Sequence, residues 1–586
     1  MKKIFYKLMV MVVAVTTCSA IFSSCTDDEL PAATRLFRPV IASENVEAGL
    51  DVDTVPYIKL KWDKYADANQ YVVKVIASDG TDSATITTDS VGCTFSSLKF
   101  DKEYNIKIHS LNTTTNLQSK DYVTNVTTPD FPTQLVNISA TNIIDTQVRI
   151  IWSTTNNGIS TVFDSIKVYN AANDSLEASV AVAADELISG QKIIRKLQPN
   201  TKYRAQAYEK GKYKGKKLFT TTSSESYDGL VFDLRGLTAA DSYKYFSVAS
   251  TTTLYVNKVD SIIKNNPDQN ITFVLQGGVT YRMPSLIIPS TAGKIKFATG
   301  LSLNGQATFA VSGNFDAPAS AIIGGFDFKN IVFTAAPLEL SNGTYLTASA
   351  SYGSTYLFNF GNAGANIKSI SLTGCKIQYK RGVIREKAAA VVDTFSINNC
   401  ILDSIGSYGV IKVDDIGAIY KNISIYNSTF SNCQYFISGK AGMTNSISSV
   451  NVVNSTFVYC IVNSKTLFDL TGAPSVGQFN LKNCLFGISG GSSTTPPTVD
   501  PITGATTGIS GWSGSVNMPT ADGCYFTSDF IWYLKAGATA PAAQIAGTSL
   551  TTNTAATFKS PTTKDFTIIN SELIKKDVKP GDPRWY

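Results

Sequence analysis

Arg385 and Lys412 are the residues of this chain whose types and spacing best suit them to act on a charged ligand. They close two matching segments, Gly382-Val383-Ile384-Arg385 and Gly409-Val410-Ile411-Lys412. Three more segments align with these: Tyr356-Leu357-Phe358-Asn359, Tyr435-Phe436-Ile437-Ser438 and Thr466-Leu467-Phe468-Asp469. If each is a strand and successive strands stack in register, Asn359, Arg385, Lys412, Ser438 and Asp469 form one polar row on a flat face, joined at its margin by Arg381, Asp414 and Lys440. A guanidinium beside an ammonium suits the carboxylates of an acidic ligand, with Arg offering two-pronged hydrogen bonding. The bland reading of the same row is a solvated sheet face whose charges keep an apolar repeat soluble.

Such a row requires a chain that coils, and the sequence repeats accordingly. From Phe326 to Phe486 one pattern returns: apolar, any, apolar, any, Asn, small, any, apolar. Its copies are Phe326/Phe328/Asn330/Phe333, Ile370/Leu372/Gly374/Ile377, Phe395/Ile397/Asn399/Leu402, Ile423/Ile425/Asn427/Phe430, Val450/Val452/Asn454/Phe457 and Phe479/Leu481/Asn483/Phe486. From Gly374 to Asn483 the steps are 25, 28, 27 and 29 residues, which is what three short strands and three turns use in one coil of a β-solenoid. Asn330, Asn399, Asn427, Asn454 and Asn483 follow a strand, where Asn tolerates the left-handed conformation of a sharp turn. Stacked coils would turn these amides into a hydrogen-bonded ladder. The next position is Cys375, Cys400, Ser428, Ser455 or Cys484, and Cys433 and Cys460 match each other. These are expected to be small inward side chains. A disulfide between neighbouring coils is geometrically conceivable, yet identical inward columns pack without one.

Upstream, Val259 to Asn266 reads as a short helix, followed by the strand-like Ile271-Thr272-Phe273-Val274-Leu275. This arrangement resembles the N-terminal cap of the pectate-lyase-like superfamily, where a helix covers the open end of the first coil. Alternating stretches at residues 58–62, 71–75 and 104–108 recur at 148–152, 166–169 and 203–208, with Trp62 and Trp152 in matching strands. Leu197-Gln198-Pro199-Asn200-Thr201-Lys202-Tyr203 resembles the tyrosine corner of fibronectin type III domains, as does Leu98 followed by Tyr104. His109, the one histidine, falls in a strand of the first module and is expected to be structural.

The expected fold is all-β: two fibronectin type III-like β-sandwiches (38–128 and 129–222), then a right-handed parallel β-helix with an N-terminal helical cap (223–586). Within the latter we expect a cap and first coils at 223–320, regular coils at 321–486, a Gly/Ser/Thr/Pro-rich loop at 487–515 and terminal coils at 516–586. Residues 1–24 read as a secretory leader, with Lys2, Lys3 and Lys7 before the apolar run Leu8–Val15. Phe22-Ser23-Ser24-Cys25 resembles a lipobox, which makes Cys25 the expected lipidation site and 25–37 a linker; Cys18 is a second candidate. The following Thr26-Asp27-Asp28-Glu29 resembles the acidic export tag of lipoproteins in Gram-negative glycan-uptake systems. Loss of the leader lysines brings the net charge from +6 to +3, so nucleic acid is not an expected partner. With one histidine and no CxxC pair, no metal is expected either.

These resemblances imply a lipid-anchored protein of the outer membrane, exposed at the cell surface. It would bind polysaccharide, more often anionic, beside a glycan-uptake complex, without cleaving it and without a cofactor. Polysaccharide lyases on the β-helix fold abstract the proton next to a uronate carboxylate, commonly with Arg or Lys as base. Under that alternative Arg385 and Lys412 are the catalytic candidates, and Ca2+ would enter only there. A third reading is a structural spacer. The ending Asp582-Pro583-Arg584-Trp585 resembles the terminal motif of uncharacterised β-helix lipoproteins.

Overall fold

The computed structural model describes residues 34–586 except 157–158, 236–257, 284–285, 312, 335–337, 340–344, 347–355, 462–464, 471, 490–509, 514–518, 531 and 533–543. The leader, Cys25 and the acidic tag lie outside the described residues. Two antiparallel sandwiches come first. In one, a sheet of Val46–Leu50, Pro56–Lys61 and Gly92–Phe95 faces a sheet built on Gln70–Ala77 and Glu103–Asn112. The second repeats the plan, with Val148–Ile151 and Gln191–Ile194 facing Leu176–Ala181, Ser165–Asn170, Lys202–Glu209 and Lys212–Thr220. This is the fibronectin type III strand order, and the corners behave as the sequence implies. The Tyr104 hydroxyl accepts from the Lys99 amide at 3.0 Å and the Tyr203 hydroxyl from the Gln198 amide at 2.9 Å. Trp62 and Trp152 are buried in the two cores. His109 sits at the surface, 3.0 Å from Asp121.

The rest of the chain is a parallel β-helix of about seven turns, with three parallel sheets of ten, ten and eight strands among the described residues. Helix Lys258–Asn265 buries Val259 and Ile263 in the same core as the coils, consistent with a cap. The repeat positions coincide in space. Phe430, Phe457, Phe486 and Phe526 stack ring on ring at 4.9, 4.9 and 4.8 Å, and each such pair contributes about 0.5–1.5 kcal/mol beyond its buried area. Asn330, Asn399, Asn427, Asn454 and Asn483 all have φ between 49 and 56°, and Gly374 and Gly523 fill the same column at 64 and 62°. Asn454 donates to Asn427 at 3.1 Å and Asn483 to Asn454 at 3.2 Å. Cys375, Cys400, Cys433, Cys460, Cys484 and Cys524 are buried and form no disulfide with one another. The inward columns therefore pack as thiols.

Two expectations need correction. Ser510–Ser513, assigned to the loop, pairs in parallel with Thr466–Asp469 and is a coil strand; alternation was hidden there because Ser and Gly surround the single Trp512. The segment assigned to terminal coils stops coiling at Ser549. Beyond it, Phe558–Ser560 and Asp565–Ile568 pair antiparallel, helix Ser571–Lys575 follows, and the chain returns along the second sheet. Leu550, Phe558, Phe566, Ile568 and Leu573 cover Val458 and Leu485 in a core of their own. The second sandwich also meets the solenoid directly, through a 2.9 Å ion pair between Arg235 and the fully buried Asp145.

Candidate functional site

The third sheet carries the candidate site. Its strands Tyr356–Phe360, Gly382–Glu386, Ile411–Val413, Ile437–Ser438 and Thr466–Asp469 align so that Asn359 pairs with Arg385, Arg385 with Lys412, Lys412 with Ser438, and Ser438 with Asp469. Inward neighbours Phe358, Ile384, Ile411, Ile437 and Phe468 are buried, and the row residues are half-buried on the outer face. This alternation follows from the two-residue period of a strand. Ser513 extends the row past Asp469 and donates to it at 2.8 Å. At the other end Asp316, the residue after Phe315, continues the line beyond Asn359. Burial lifts the pKa of Asp316, opposed by the amides of Gly361 and Ala317 and by Lys387.

Charge in the centre is shared. Asp414 accepts from the Arg385 Nε at 2.7 Å and lies 3.7 Å from the Lys412 ammonium, which itself donates to the Ser438 hydroxyl at 3.0 Å. Burial works against the Arg385 charge, but Asp414 and the two neighbouring tyrosines outweigh it, and the pKa is raised. A guanidinium held protonated in this way keeps its charge and its two-pronged donor geometry. The Asn359 Oδ1 is buried and has no hydrogen-bond partner among the described residues.

Beside the row runs an aromatic column. Tyr356, Tyr408 and Tyr435 pack over Gly382 and Gly409. A Cβ on Gly382 would lie 2.9 Å from the Tyr408 Cβ, and one on Gly409, at φ 58°, would lie 2.3 Å from the Tyr435 ring. The Tyr356 and Tyr408 rings meet edge to face at 5.2 Å. Arg381 stacks over Tyr408 at 4.2 Å, Arg385 reaches both Tyr356 and Tyr408, and Lys465 lies 5.4 Å over Tyr435. Burial raises the Tyr356 pKa to about 12. Lys440 is apart from this group, exposed in the turn that follows Ser438.

Of the residues expected at the site, the row forms as one line, Arg381 joins it through Tyr408, and Lys440 does not. Tyr356, Tyr435, Lys465, Asp316 and Ser513 were missed. The two tyrosines could have been found, since Tyr356, Gly382, Gly409, Tyr435 and Thr466 form a column of the same alignment. Asp414 and Asp469 stand two coils apart, and no group of three or more His, Cys, Asp or Glu side chains comes together among the described residues.

Comparison with known proteins adds a match to part of the chain and likenesses to solved structures. A domain of unknown function (DUF4957) matches residues 280–433, which span the early coils and take in Asn359, Arg385 and Lys412 of the row. No curated protein matches the chain. Among solved structures, the chain is similar to a two-domain fibronectin type III segment of chicken tenascin, at 15% identity and a TM-score of 0.17, over 32% of this chain and 100% of that one. It is also similar to the FN1–FN3 domains of chicken CNTN1, at 13% identity and a TM-score of 0.15, over 33% of this chain and 69% of that one.

Proposed function

We propose that the β-helix binds polysaccharide along the third sheet without cleaving it, as part of a lipid-anchored protein serving glycan acquisition at the outer cell surface. The observation that carries this reading is the row itself, in which Asn359, Arg385, Lys412, Ser438 and Asp469 offer one polar group per coil in unbroken register. Groups repeated about every 4.8 Å along a straight, flat face suit an extended polymer better than a compact ligand. The tyrosine column beside them supplies rigid apolar surface with polar edges, as sugar rings require. Arg381, Arg385, Lys412 and Lys465 outnumber Asp316, Asp414 and Asp469 around the row, which favours glycans bearing acid groups. Weak affinity per site suffices when many copies are tethered beside a transporter.

The test uses protein lacking residues 1–25 with uronate-containing and neutral polysaccharides, following gel retardation and the ultraviolet absorbance of unsaturated ends. Retardation without new absorbance or reducing ends supports binding. New absorbance would instead establish a lyase, and silence across the panel would leave the structural spacer. Arg385→Glu with Lys412→Glu is expected to abolish retardation by acidic chains.

A further inference from the structure

Arg381 immediately precedes the strand Gly382–Glu386 and Arg385 lies near its far end. Both guanidiniums turn to the same side chain, Tyr408, at 4.2 and 5.2 Å from its ring centroid. Tyr408 can lie there because the strand begins with a glycine, where a Cβ would stand 2.9 Å from the Tyr408 Cβ. A contact through the ring face uses no N–H, so it holds a guanidinium in place and leaves its donors to a ligand. Among the described residues the Arg381 guanidinium makes no ion pair or hydrogen bond, and Arg385 gives only its Nε, to Asp414 at 2.7 Å. Beside them Tyr356 meets Tyr408 at 5.2 Å and Arg385 at 5.4 Å. It is only 5% exposed, and its hydroxyl is buried with no hydrogen-bond partner among the described residues.

We infer that Arg381 and Arg385 form a two-fork site for a tetrahedral oxyanion ester on the glycan, a sulfate or a phosphate, and prefer it to a carboxylate. This deepens the glycan-binding reading above and rests on it. A guanidinium binds best to two oxygens at once. A carboxylate has a single edge of two oxygens, which one fork fills, so a second fork must compete for oxygens already engaged. A sulfate or phosphate monoester has three terminal oxygens, and therefore three edges, and can meet two forks together with acceptor capacity left for a hydroxyl such as that of Tyr356. Lys412 on the adjacent strand shares Asp414 with Arg385, but its ammonium is a point charge that attracts any anion. Selection between shapes of anion therefore falls to the two forks.

The experiment measures affinity for three polymers: a galactan with a sulfate ester on every second sugar, hyaluronan, which carries a carboxylate at the same spacing, and a mannan bearing phosphate monoesters. It compares the full chain with Arg381→Lys, which keeps the charge and loses the fork, and thermal melts establish folding. The full chain should bind one of the ester polymers about tenfold tighter than hyaluronan, and the tighter of the two names the ester. In Arg381→Lys that preference should shrink to about twofold or less while hyaluronan affinity holds. Hyaluronan bound as tightly as both ester polymers, or a preference that survives Arg381→Lys, overturns the two-fork site and leaves glycan binding intact. Absence of binding to all three polymers overturns the reading beneath it.

Discussion

The guanidinium of Arg584 donates to the side-chain oxygen of Asn399 at 2.9 Å, across 185 residues of sequence. The same nitrogen reaches the carbonyls of Asn427 at 3.1 Å and Cys400 at 3.3 Å. Its neighbour Asp582 is buried, accepts from the Thr429 hydroxyl at 2.7 Å and is ion-paired with Arg584 at 2.8 Å. The Trp585 indole donates to the same hydroxyl at 2.7 Å. With the Asp582 amide donating to the Thr456 hydroxyl at 2.8 Å, the returning tail fastens itself to three successive coils, which gives the Asp-Pro-Arg-Trp motif a structural role.

Arg584→Ala should cost about 2–4 kcal/mol, since it strands the buried Asp582 without its cation and leaves turn carbonyls unpaired. Burial already raises the Asp582 pKa, with Arg584 opposing. Adding Asp582→Asn should recover part of the loss. Urea unfolding measures both, and hydrogen exchange should localise the loosening to residues 544–586. Wild-type stability in Arg584→Ala would contradict the fastening.

The asparagine ladder predicts a ranking. Asn454→Gly keeps the positive φ and loses two amide hydrogen bonds, at about 1–2 kcal/mol. Asn454→Ala adds about 1–2 kcal/mol of left-handed strain to that loss. Gly374→Ala should be at least as damaging, because its Cβ would stand 2.2 Å from the Asn330 side-chain oxygen. Thermal melts of the three variants give the order directly.

Much of this architecture was legible because a coil repeats its demands. A left-handed turn admits Asn or Gly, and the column from Asn330 through Gly374 to Asn483 contains nothing else. The polar row was legible for the same reason, because the segments that end in Asn359, Arg385, Lys412, Ser438 and Asp469 align with one another. The role of Asp414 was harder to read. It is an even number of residues from Lys412 but lies beyond the strand end at Val413, where strand alternation ceases to dictate direction. The returning tail was illegible because Arg584 reads groups that are distant in sequence and follow no period.

Glu386 makes stability depend on pH. It points inward between Phe360 and Val413, fully enclosed, and among the described residues its oxygens make no well-aligned hydrogen bond although the Tyr420 hydroxyl is near. Burial drives its pKa well above the carboxylate range. The folded chain therefore holds a proton that the unfolded chain releases near pH 4.5. The advantage is whole below that pH and is lost as pH rises toward the folded value. Glu386→Gln should match the wild type in acid and exceed it increasingly at higher pH, by urea midpoints measured from pH 4 to 8.

Lys380 slopes the opposite way. It is buried at the start of the corner before Arg381, donates to the Val311 carbonyl at 3.2 Å, and burial lowers its pKa to about 7. Between that value and about 10.5 the unfolded chain holds the extra proton, so stability climbs with pH across the window. Lys380→Met should flatten the climb and leave the acid side, governed by Glu386, unchanged. A slope that survives in Lys380→Met would assign it to another group.

Asp414 sets how tightly the cations of the row are held. Asp414→Asn removes the carboxylate shared by Arg385 and Lys412 while keeping an acceptor for the Arg385 Nε. The pair between Asp414 and Arg385 is about one-fifth exposed on both sides, so its loss should cost only about 1 kcal/mol of stability after solvent screening. Binding of acidic glycan should tighten several-fold at low salt and depend more steeply on ionic strength, because two cations now face the ligand uncompensated. Titrations at two salt concentrations separate this from a change of shape, which would weaken binding equally at both. An affinity that falls in Asp414→Asn would mean that the carboxylate itself contacts the sugar, and would move it from the support of the row into the row.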